Sequence, residues 1–438
     1  MNNTNNATPF ETRGQRTQRL VAASLKRRYR AELRFRTYGI VAVTLGLLFV
    51  VVLFSTIISK GIGAFKQAYV TLDVTYSAAD IAPDGKLAPA DLAQGDYEAV
   101  VKAALRNRFS DVTERDEKRK LYGLLSNSAD TILRDRVVKN PQLIGTTERV
   151  ALLASDRVDL VVKGRISQNT PEADRTVSDL EFGWIQALLA EHRLKEQFNT
   201  GLFTHGDSRE PEQAGILGAL VGSMLTLLVT VCLSLPIGVA AAVYLEEFAV
   251  RNRYTDFIEV NINNLAAVPS IVFGLLGLAV FIQFFGLPRS APIVGGLVLT
   301  LMTLPTIIIA SRAALKAVPP AIRQAAFGMG ASPVQMVTHH VLPLAMPGIL
   351  TGAIIGMARA LGESAPLLMI GMVAFIADVP RALSDSATVL PVQIYLWSSS
   401  SEQAFVERTS GAIIVLLIFL LLMNALAMIL RNRFERRW

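Results

Sequence analysis

The sequence predicts an all-α polytopic membrane protein with six transmembrane helices and a small soluble α+β domain inserted outside the membrane. Three observations predict this fold class. Of the 438 residues, 51% are hydrophobic, and the mean hydropathy of +0.40 argues against a soluble enzyme. Long apolar runs recur along the chain. A charged stretch of domain size separates the first run from the others.

Each apolar run is long enough to cross a membrane as a helix, since about 20 residues at ~1.5 Å each span a ~30 Å hydrocarbon layer. The first run is too long for the apolar region of a signal peptide, and no small-x-small cleavage site follows it. We therefore expect it to remain as an anchor. The predicted spans are 38–59, 216–244, 260–288, 291–311, 346–376 and 409–430.

Basic residues predict the orientation of these spans. The two tails and the loops on their side hold 18 Lys and Arg, and the short loops on the other side hold three. The positive-inside rule then places both termini in the cytoplasm and the insert outside. This topology explains the basic excess better than nucleic-acid binding does. The predicted organisation is a basic tail (1–37), a first helix (38–59), the insert (60–215), a five-helix core (216–431) with a cytoplasmic loop (312–345), and a basic tail (432–438).

The insert carries signals for both strands and helices. Apolar residues alternate from Val70 to Tyr76, which predicts a strand, and Tyr97 begins an apolar face with helical spacing. Residues 148–156 and 178–198 also look helical. We interpret His192 and His205 as surface residues, because no catalytic constellation surrounds them. The single cysteine, Cys232, lies within a predicted span, so neither a disulfide framework nor a Cys-based metal site is expected.

The loop at 312–345 is a mostly polar helical stretch between two apolar ones. Pro319-Pro320 is typical of a helix start. The following helix is predicted over Ala321–Met329. Gly330 then suits the position after a helix end, where φ is often positive.

A second short helix is predicted after this turn. Ser332 is suited to cap it, with Pro333 in its first position and Gln335 completing a capping box. The helix is expected to run to about His340 and to be broken by Leu342-Pro343 before the next span. A helix-turn-helix placed between membrane spans is best suited to docking a cytoplasmic partner.

This loop resembles the EAA motif, the coupling loop of ABC importer permeases. The motif reads E-A-A, three residues, G, nine residues, I, one residue, L-P. This sequence departs from it at Gln324, which replaces the acid, and at His340, which replaces the isoleucine. The matching positions, implied as ATPase-coupling residues, are Gln324, Ala325, Ala326, Gly330, Leu342 and Pro343.

Further segments resemble the A-type permease subunit of Pst phosphate importers over about 210–438. They are Leu235–Gly238, Ala240–Glu247, Pro269–Gly274, Ala358–Leu367, Leu390–Tyr395 and the basic tail ending in Trp438. The resemblance implies the type I ABC importer permease fold, six spans in the bacterial inner membrane, and import of inorganic phosphate. The insert looks like the extra domain of a longer subset of these permeases, and the resemblance gives it no function. We expect that replacing most of residues 80–205 with a linker leaves some uptake.

The resemblance also implies the partners: a homologous permease subunit as a heterodimer, a cytoplasmic ATPase dimer and a periplasmic phosphate-binding protein, all within membrane lipid. No G-x-x-x-x-G-K-[ST] loop occurs in the sequence, so ATP hydrolysis is expected on a separate chain. The chain itself is expected to catalyse no bond chemistry and to need neither a cofactor nor a metal.

Four residues are candidates for the substrate pathway. Arg359 and Glu363 are predicted to share one helix face near the middle of the membrane, where charges are costly and usually functional. An arginine fork suits an oxyanion, although a structural ion pair is the alternative. Ser270 could supply a hydroxyl or belong to a plain proline kink. Arg312 is either a substrate contact or an anchor at the membrane interface.

Other functions stay open. The same architecture could carry another oxyanion, such as molybdate or sulfate. A membrane sensor with an extracytoplasmic ligand domain would need an output element, and none is visible in the sequence. A proton- or sodium-driven carrier would need no loop for docking an ATPase.

Overall fold

The computed structural model describes residues 13–434. It begins with one long helix, α1 (Arg13–Gly61). The part of this helix from residue 27 onward is long and apolar enough to cross a membrane. The predicted first span at 38–59 is therefore the second half of a longer helix. Residues 13–37 were expected to be a tail, but they are helical, because they are rich in Arg, Leu and Ala and contain no proline.

The segment after α1 contains a three-stranded antiparallel sheet with the strand order β2-β1-β3. Alternate residues of the central strand are fully buried, as the alternation predicts. Helices cover that buried face. The strands are β1 (Lys66–Thr75), β2 (Thr147–Leu153) and β3 (Leu194–Phe198). The helices are α2 (Ala78–Ile81), α3 (Pro89–Leu92), α4 (Tyr97–Arg108), α5 (Arg115–Tyr122), α6 (Ala129–Lys139), α7 (Asp156–Val162), α8 (Asp179–Ala190) and α9 (Gly201–Thr204).

The helix prediction at Tyr97 is confirmed, since α4 starts there and buries the predicted face. Its first turn is capped by Asp96, whose carboxylate accepts a hydrogen bond from the Ala99 N–H at 2.9 Å. The prediction of a helix over 148–156 is wrong. Those residues form β2, whose Val150 pairs with Leu72 of the central strand, and this pairing overrides local helix propensity. Of the predicted helix over 178–198, only α8 is helical.

The remaining residues form the membrane-type core. Among residues 13–434, five helices are long and apolar enough to cross a membrane, or six if one bent pair counts as a single span. The spans predicted at 216–244, 291–311 and 409–430 each correspond to one of these helices. The core helices are α10 (Leu217–Val243), α11 (Arg253–Ala266), α12 (Ser270–Leu276), α13 (Pro292–Lys316), α14 (Pro320–Gly328), α15 (Pro333–Gln335), α16 (Leu342–Gly362), α17 (Ala365–Met369), α18 (Leu390–Ser398) and α19 (Gln403–Phe434).

The prediction of one continuous helix over 260–288 is wrong. The chain bends by 105° between α11 and α12, which continues as a π-helical segment to Phe284. Pro269 lies at the bend, immediately before α12. Proline has no N–H and disfavours helical backbone at the residue before it, so α11 ends ahead of it.

The span predicted at 346–376 is also not one helix. The helix begins earlier, runs through Leu342-Pro343 without a break and ends at Gly362. A π-helical segment, Met336–Val341, leads into Pro343. A wider turn at this point accommodates a proline that lacks an N–H. The expected break therefore lies about 20 residues further on, between α16 and α17.

The core helices pack closely where small residues meet. A Cβ atom at Gly348 would lie 2.6 Å from the Ala314 Cβ, and Gly352 is equally crowded against Ala310. These contacts bring the backbones of α13 and α16 together, as small residues do in membrane bundles. Between α10 and α13, the buried Thr230 hydroxyl lies 2.9 Å from the Thr226 carbonyl and 3.3 Å from the Gly296 carbonyl.

Candidate functional site

The coupling segment, which we define as residues 319–343, has the predicted local structure around its turn. Helix α14 ends at Gly328, and Gly330 follows with φ of +85°. Ser332 caps α15 and forms the expected capping box with Gln335. These predictions are confirmed because capping depends on residues close together in sequence.

One face of the coupling segment is buried against the ends of the core helices. Ala326 is buried with Leu315 and Val341 in one apolar cluster. The opposite face is exposed and apolar, with Phe327 and Met329 on it. Three predicted coupling positions, Gln324, Ala325 and Gly330, are exposed, whereas Ala326, Leu342 and Pro343 are buried or half-buried. Ala326 therefore packs inward and does not belong to the exposed face.

Arg323 attaches the coupling segment to two core helices. Its guanidinium donates hydrogen bonds to the carbonyls of Leu315, at 2.9 Å, and Val318, at 2.7 Å, which lie at the end of α13. The same group donates to the Glu247 carboxylate just beyond α10, with Nη2–Oε1 at 2.6 Å and Nε–Oε2 at 3.1 Å. These hydrogen bonds to the Glu247 carboxylate raise the pKa of Arg323. Sequence reasoning missed this role, because Arg323 and Glu247 are 76 residues apart.

Arg312, a predicted pathway residue, lies in a neighbouring group of ion pairs. Its guanidinium lies 2.5 Å from Glu259 Oε1 on α11 and 3.4 Å from Glu246 Oε2 beyond α10. Lys316 lies 3.6 Å from the same Glu246 oxygen. Together with the Arg323–Glu247 pair, these ion pairs connect the end of α13 that lies nearest the coupling segment to α11 and to the residues just beyond α10.

Arg359 and Glu363 form an ion pair, but they do not share one continuous helix. Helix α16 ends at Gly362, so Glu363 follows it with extended backbone. The Arg359 Nε lies 3.8 Å from Glu363 Oε1, longer than a hydrogen bond. The Arg359 side chain is 44% exposed and that of Glu363 is 22% exposed. The guanidinium donors of Arg359 are therefore open to another molecule.

Helices α12 and α17, which each follow a break in a predicted span, contact one another, and α17 begins shortly after Glu363 in the sequence. A Cβ atom at Gly274 of α12 would lie 2.7 Å from the Pro366 Cα of α17, so the two backbones touch. Ser270 is the first residue of α12 and is half-buried. Helix interruptions in membrane proteins occur where the backbone is buried in protein or lines a cavity.

Comparison with known proteins defines the class. Residues 234–438 match the model of the inner membrane component of binding-protein-dependent transport systems, and residues 22–172 match a domain of unknown function. The helical core is thus that of an inner-membrane transport permease, a multi-pass membrane protein. A chain of the inward-facing MetNI methionine ABC transporter covers 51% of this chain and 95% of its own length, at 22% identity and a TM-score of 0.40, too low for an argument about fold.

The curated relatives are more specific. The phosphate transport system permease protein PstA 1 of Mycobacterium tuberculosis is 33% identical over 231 residues, which cover 52% of this chain and 74% of the relative. PstA of Mycobacterium leprae is 32% identical over 52% of this chain and 74% of its own, and PstA of Xylella fastidiosa is 28% identical over 53% and 80%. The chain belongs to the family of PstA phosphate transport system permeases.

Proposed function

We propose that this chain is the permease subunit of an ATP-driven importer that carries inorganic phosphate across the bacterial inner membrane. In this proposal the bent pair α11–α12 counts as one of six spans, both termini are cytoplasmic, and residues 60–215 lie outside. A homologous permease subunit completes the path, a cytoplasmic ATPase dimer drives it, and a periplasmic phosphate-binding protein delivers the cargo. The names of the relatives support phosphate as the cargo.

The observation that carries the proposal is the coupling segment. It presents an exposed apolar face, including Phe327 and Met329, that nothing else in the described chain covers. Behind that face, Arg323 bonds to the end of α13 and to Glu247 beyond α10. A push on the exposed face is therefore transmitted to two core helices through charged hydrogen bonds, which are stronger and more directional than apolar contact. An ATPase subunit is the partner that would supply such a push.

Phosphate uptake by cells that lack their own high-affinity importer tests the cargo. Radiolabelled phosphate should accumulate only when the ATPase partner is present and active, and excess molybdate or sulfate should not compete. Competition by either anion would favour another oxyanion. Uptake that continues with an inactive ATPase would point to an ion-driven carrier, and no uptake of any oxyanion would favour the sensor.

Arg359 is the proposed anion contact. Its exposed guanidinium lies beyond hydrogen-bond distance of Glu363, so it can offer paired N–H donors to a tetrahedral anion. Glu363 would hold the arginine when no anion is bound. Arg359→Lys should lose most uptake at normal membrane level, because a point charge does not replace a planar fork. Glu363→Gln should impair uptake less than Arg359→Gln does.

The alternative, a structural ion pair, predicts a different result. In that case Arg359→Met combined with Glu363→Leu should restore both membrane level and uptake, because no unpaired charge is left. Uptake is measured together with membrane level in all variants. Full uptake in the double variant would exclude Arg359 as the anion contact.

Topology is tested by labelling single cysteines in intact cells, after Cys232 is replaced with alanine. Cysteines placed in residues 80–205 should react with an impermeant reagent without permeabilisation, whereas a cysteine at Gly328 in the coupling segment should not. The reverse pattern would contradict the proposed orientation.

A further inference from the structure

A buried group of charges joins the insert to the last core helix. Lys163, just beyond α7 in the insert, lies 2.6 Å from Asp159 Oδ2 and 2.8 Å from Glu407 Oε1 on α19. All three side chains are at most 10% exposed. The other Asp159 oxygen accepts a hydrogen bond from the Ala68 N–H at 2.8 Å, on the central strand of the sheet. Lys163 thus lies between a carboxylate of the insert and one of the core.

The next residue of α19, Arg408, is buried in the same region. Its guanidinium donates hydrogen bonds to Gln67 Oε1 on the central strand, to the Ala64 carbonyl at 3.4 Å and to the Glu212 carbonyl at 3.3 Å. Asn199 also donates to the Ala64 carbonyl, at 3.1 Å. The Arg408 side chain is therefore enclosed by residues from both ends of the insert.

A second contact joins the insert to α18. The indole Nε1 of Trp397 donates a hydrogen bond to Asp207 Oδ1 at 2.9 Å. Around it, buried apolar side chains from both sides form one cluster that includes Leu202 and Phe405. Burial raises the pKa of Asp207. This contact is separate from the Lys163 group and holds the insert at a second place.

A third contact involves the loop before α18. A Cβ atom at Gly206 would clash with the Ala377 carbonyl, so the backbones of the insert and the loop are in contact there. Close by, the Arg209 guanidinium lies 5.6 Å from the centre of the Phe375 ring. A cleft of about 1090 Å³ lies between this loop and the insert.

Buried charges tolerate little movement between their carriers. Separating Lys163 from Glu407 without solvating both would leave uncompensated buried charge, which strongly destabilises a protein. A domain attached only by a flexible linker would instead have an exposed interface, whose residues could be substituted with little effect on stability. The insert shows the opposite at the first two contacts, where the Lys163 and Trp397 side chains are buried, whereas Arg209 and Phe375 at the loop contact are exposed.

We propose that the insert, the loop around Ala377 and the first turns of α19 form one rigid body, with Lys163 as the residue that joins insert to core. The insert then moves together with α19 during transport, a statement that rests on the proposed function. The earlier expectation that most of residues 80–205 can be replaced by a linker conflicts with this proposal, because that range contains both Asp159 and Lys163.

The first test uses thermal unfolding of the purified transporter complex to measure how much the Lys163 ion pairs stabilise the contact between insert and core. Lys163→Met removes the cation that forms ion pairs with both buried carboxylates and should lower the unfolding midpoint by several degrees. The triple variant, Lys163→Met with Asp159→Asn and Glu407→Gln, should recover most of that loss, because Asn keeps the oxygen that accepts from Ala68. The matched control is Lys102→Met, whose partner Glu98 is 69% exposed, and it should change the midpoint little.

Two outcomes would refute the proposal that Lys163 joins the insert to the core through its charge. One is a Lys163→Met midpoint equal to that of the Lys102→Met control. The other is a triple variant no more stable than Lys163→Met, since that would show that Lys163 contributes through packing and not through its two charged partners.

The second test asks whether the insert moves relative to the loop. In a Cys232→Ala background, cysteines at Arg209 and Phe375 are joined by a short bifunctional thiol reagent. If insert and loop form one body, the joined complex should keep phosphate uptake and ATP hydrolysis within about twofold of the same protein without reagent. Loss of both activities on joining would show that the two must separate, and would refute the proposal.

This design separates two kinds of failure. If phosphate is the wrong cargo, the complex takes up no phosphate before the reagent is added, and ATP hydrolysis alone then reports the effect of joining. If the rigid-body proposal is wrong, the unjoined protein is active and the joined protein is not.

Discussion

Replacing Arg323 with methionine removes the group that attaches the coupling segment to α10 and α13. The guanidinium donates to the Glu247 carboxylate and to two backbone carbonyls, and the Glu247 side chain is only 5% exposed. The variant would leave that carboxylate nearly buried and unpaired, a change that costs about 3–5 kcal/mol in buried pairs. Because the Arg323 side chain is 21% exposed, we expect the lower end, about 3 kcal/mol.

At ~2–4 °C per kcal/mol, this loss lowers the unfolding midpoint of the complex by roughly 6–12 °C. The assay is thermal unfolding of the purified complex, together with ATP hydrolysis and phosphate uptake per assembled complex. Uptake should fall more than hydrolysis, because force from the ATPase no longer reaches both helices. Lys316→Met is the matched control, since Lys316 is 55% exposed and 3.6 Å from its partner, and exposed pairs contribute about 0–1 kcal/mol.

Arg323→Met combined with Glu247→Leu gives a sharper result. Removing both charges should recover most of the stability but not the uptake, because the connection to α10 is still missing. A midpoint for Arg323→Met within 2 °C of the native value, roughly the control's effect, would refute the reasoning. So would full uptake in the double variant.

Three further predictions concern single positions. Gly330→Val should abolish uptake at normal membrane level, because φ of +85° strains a β-branched residue in the turn that shapes the docking face. Gly274→Leu should lower the membrane level, since its Cβ would lie 2.7 Å from the Pro366 backbone. Asp207→Asn should match or exceed native stability at neutral pH, because Asn still accepts from Trp397. Burial raises the pKa of Asp207 above 3.8. Protonation of Asp207 therefore stabilises the native protein fully below that pH, and this stabilisation is lost as the pH rises through the raised pKa. The stability difference between the two proteins should therefore shrink as the pH approaches 4 in unfolding measurements.

Matched controls exist for the two glycines. Nothing lies within 4 Å of a Cβ atom at Gly328 or Gly362, and neither has positive φ, so Gly328→Ala and Gly362→Ala should keep native uptake and membrane level. Normal uptake in Gly330→Val would argue against the coupling role of the turn. An unchanged membrane level in Gly274→Leu would show that α12 and α17 can separate freely.

The features that could be predicted from the sequence are those that depend on near neighbours. The turn at Gly330 and the capping box at Ser332 are confirmed, because each depends on residues within four positions. The apolar face starting at Tyr97 is confirmed for the same reason. Most of the long apolar runs correspond to helices of the membrane type.

The features that could not be predicted depend on distant partners. Pro343 was expected to break its helix, but a π-helical segment before it absorbs the missing hydrogen bond. The end of α16 before Glu363 was not predicted, because the apolar run continues past it, although Gly362 and Pro366 are residues typical of a helix end. Arg408 is one of the three basic residues that the sequence places in short loops, yet it is buried near the start of α19 against Ala64 and Gln67, more than 300 positions away.

The buried cation at Arg408 has a consequence for comparative sequence data. Its hydrogen-bond partners, Gln67 and the carbonyls of Ala64 and Glu212, all come from the segment that precedes α10. A permease without the insert would leave this arginine and Glu407 without their surroundings. Evolutionary gain or loss of the insert should therefore be accompanied by substitutions at two positions near the start of the last helix. Such paired substitutions in related genomes would mark, from the last helix alone, the lineages in which the insert was gained or lost.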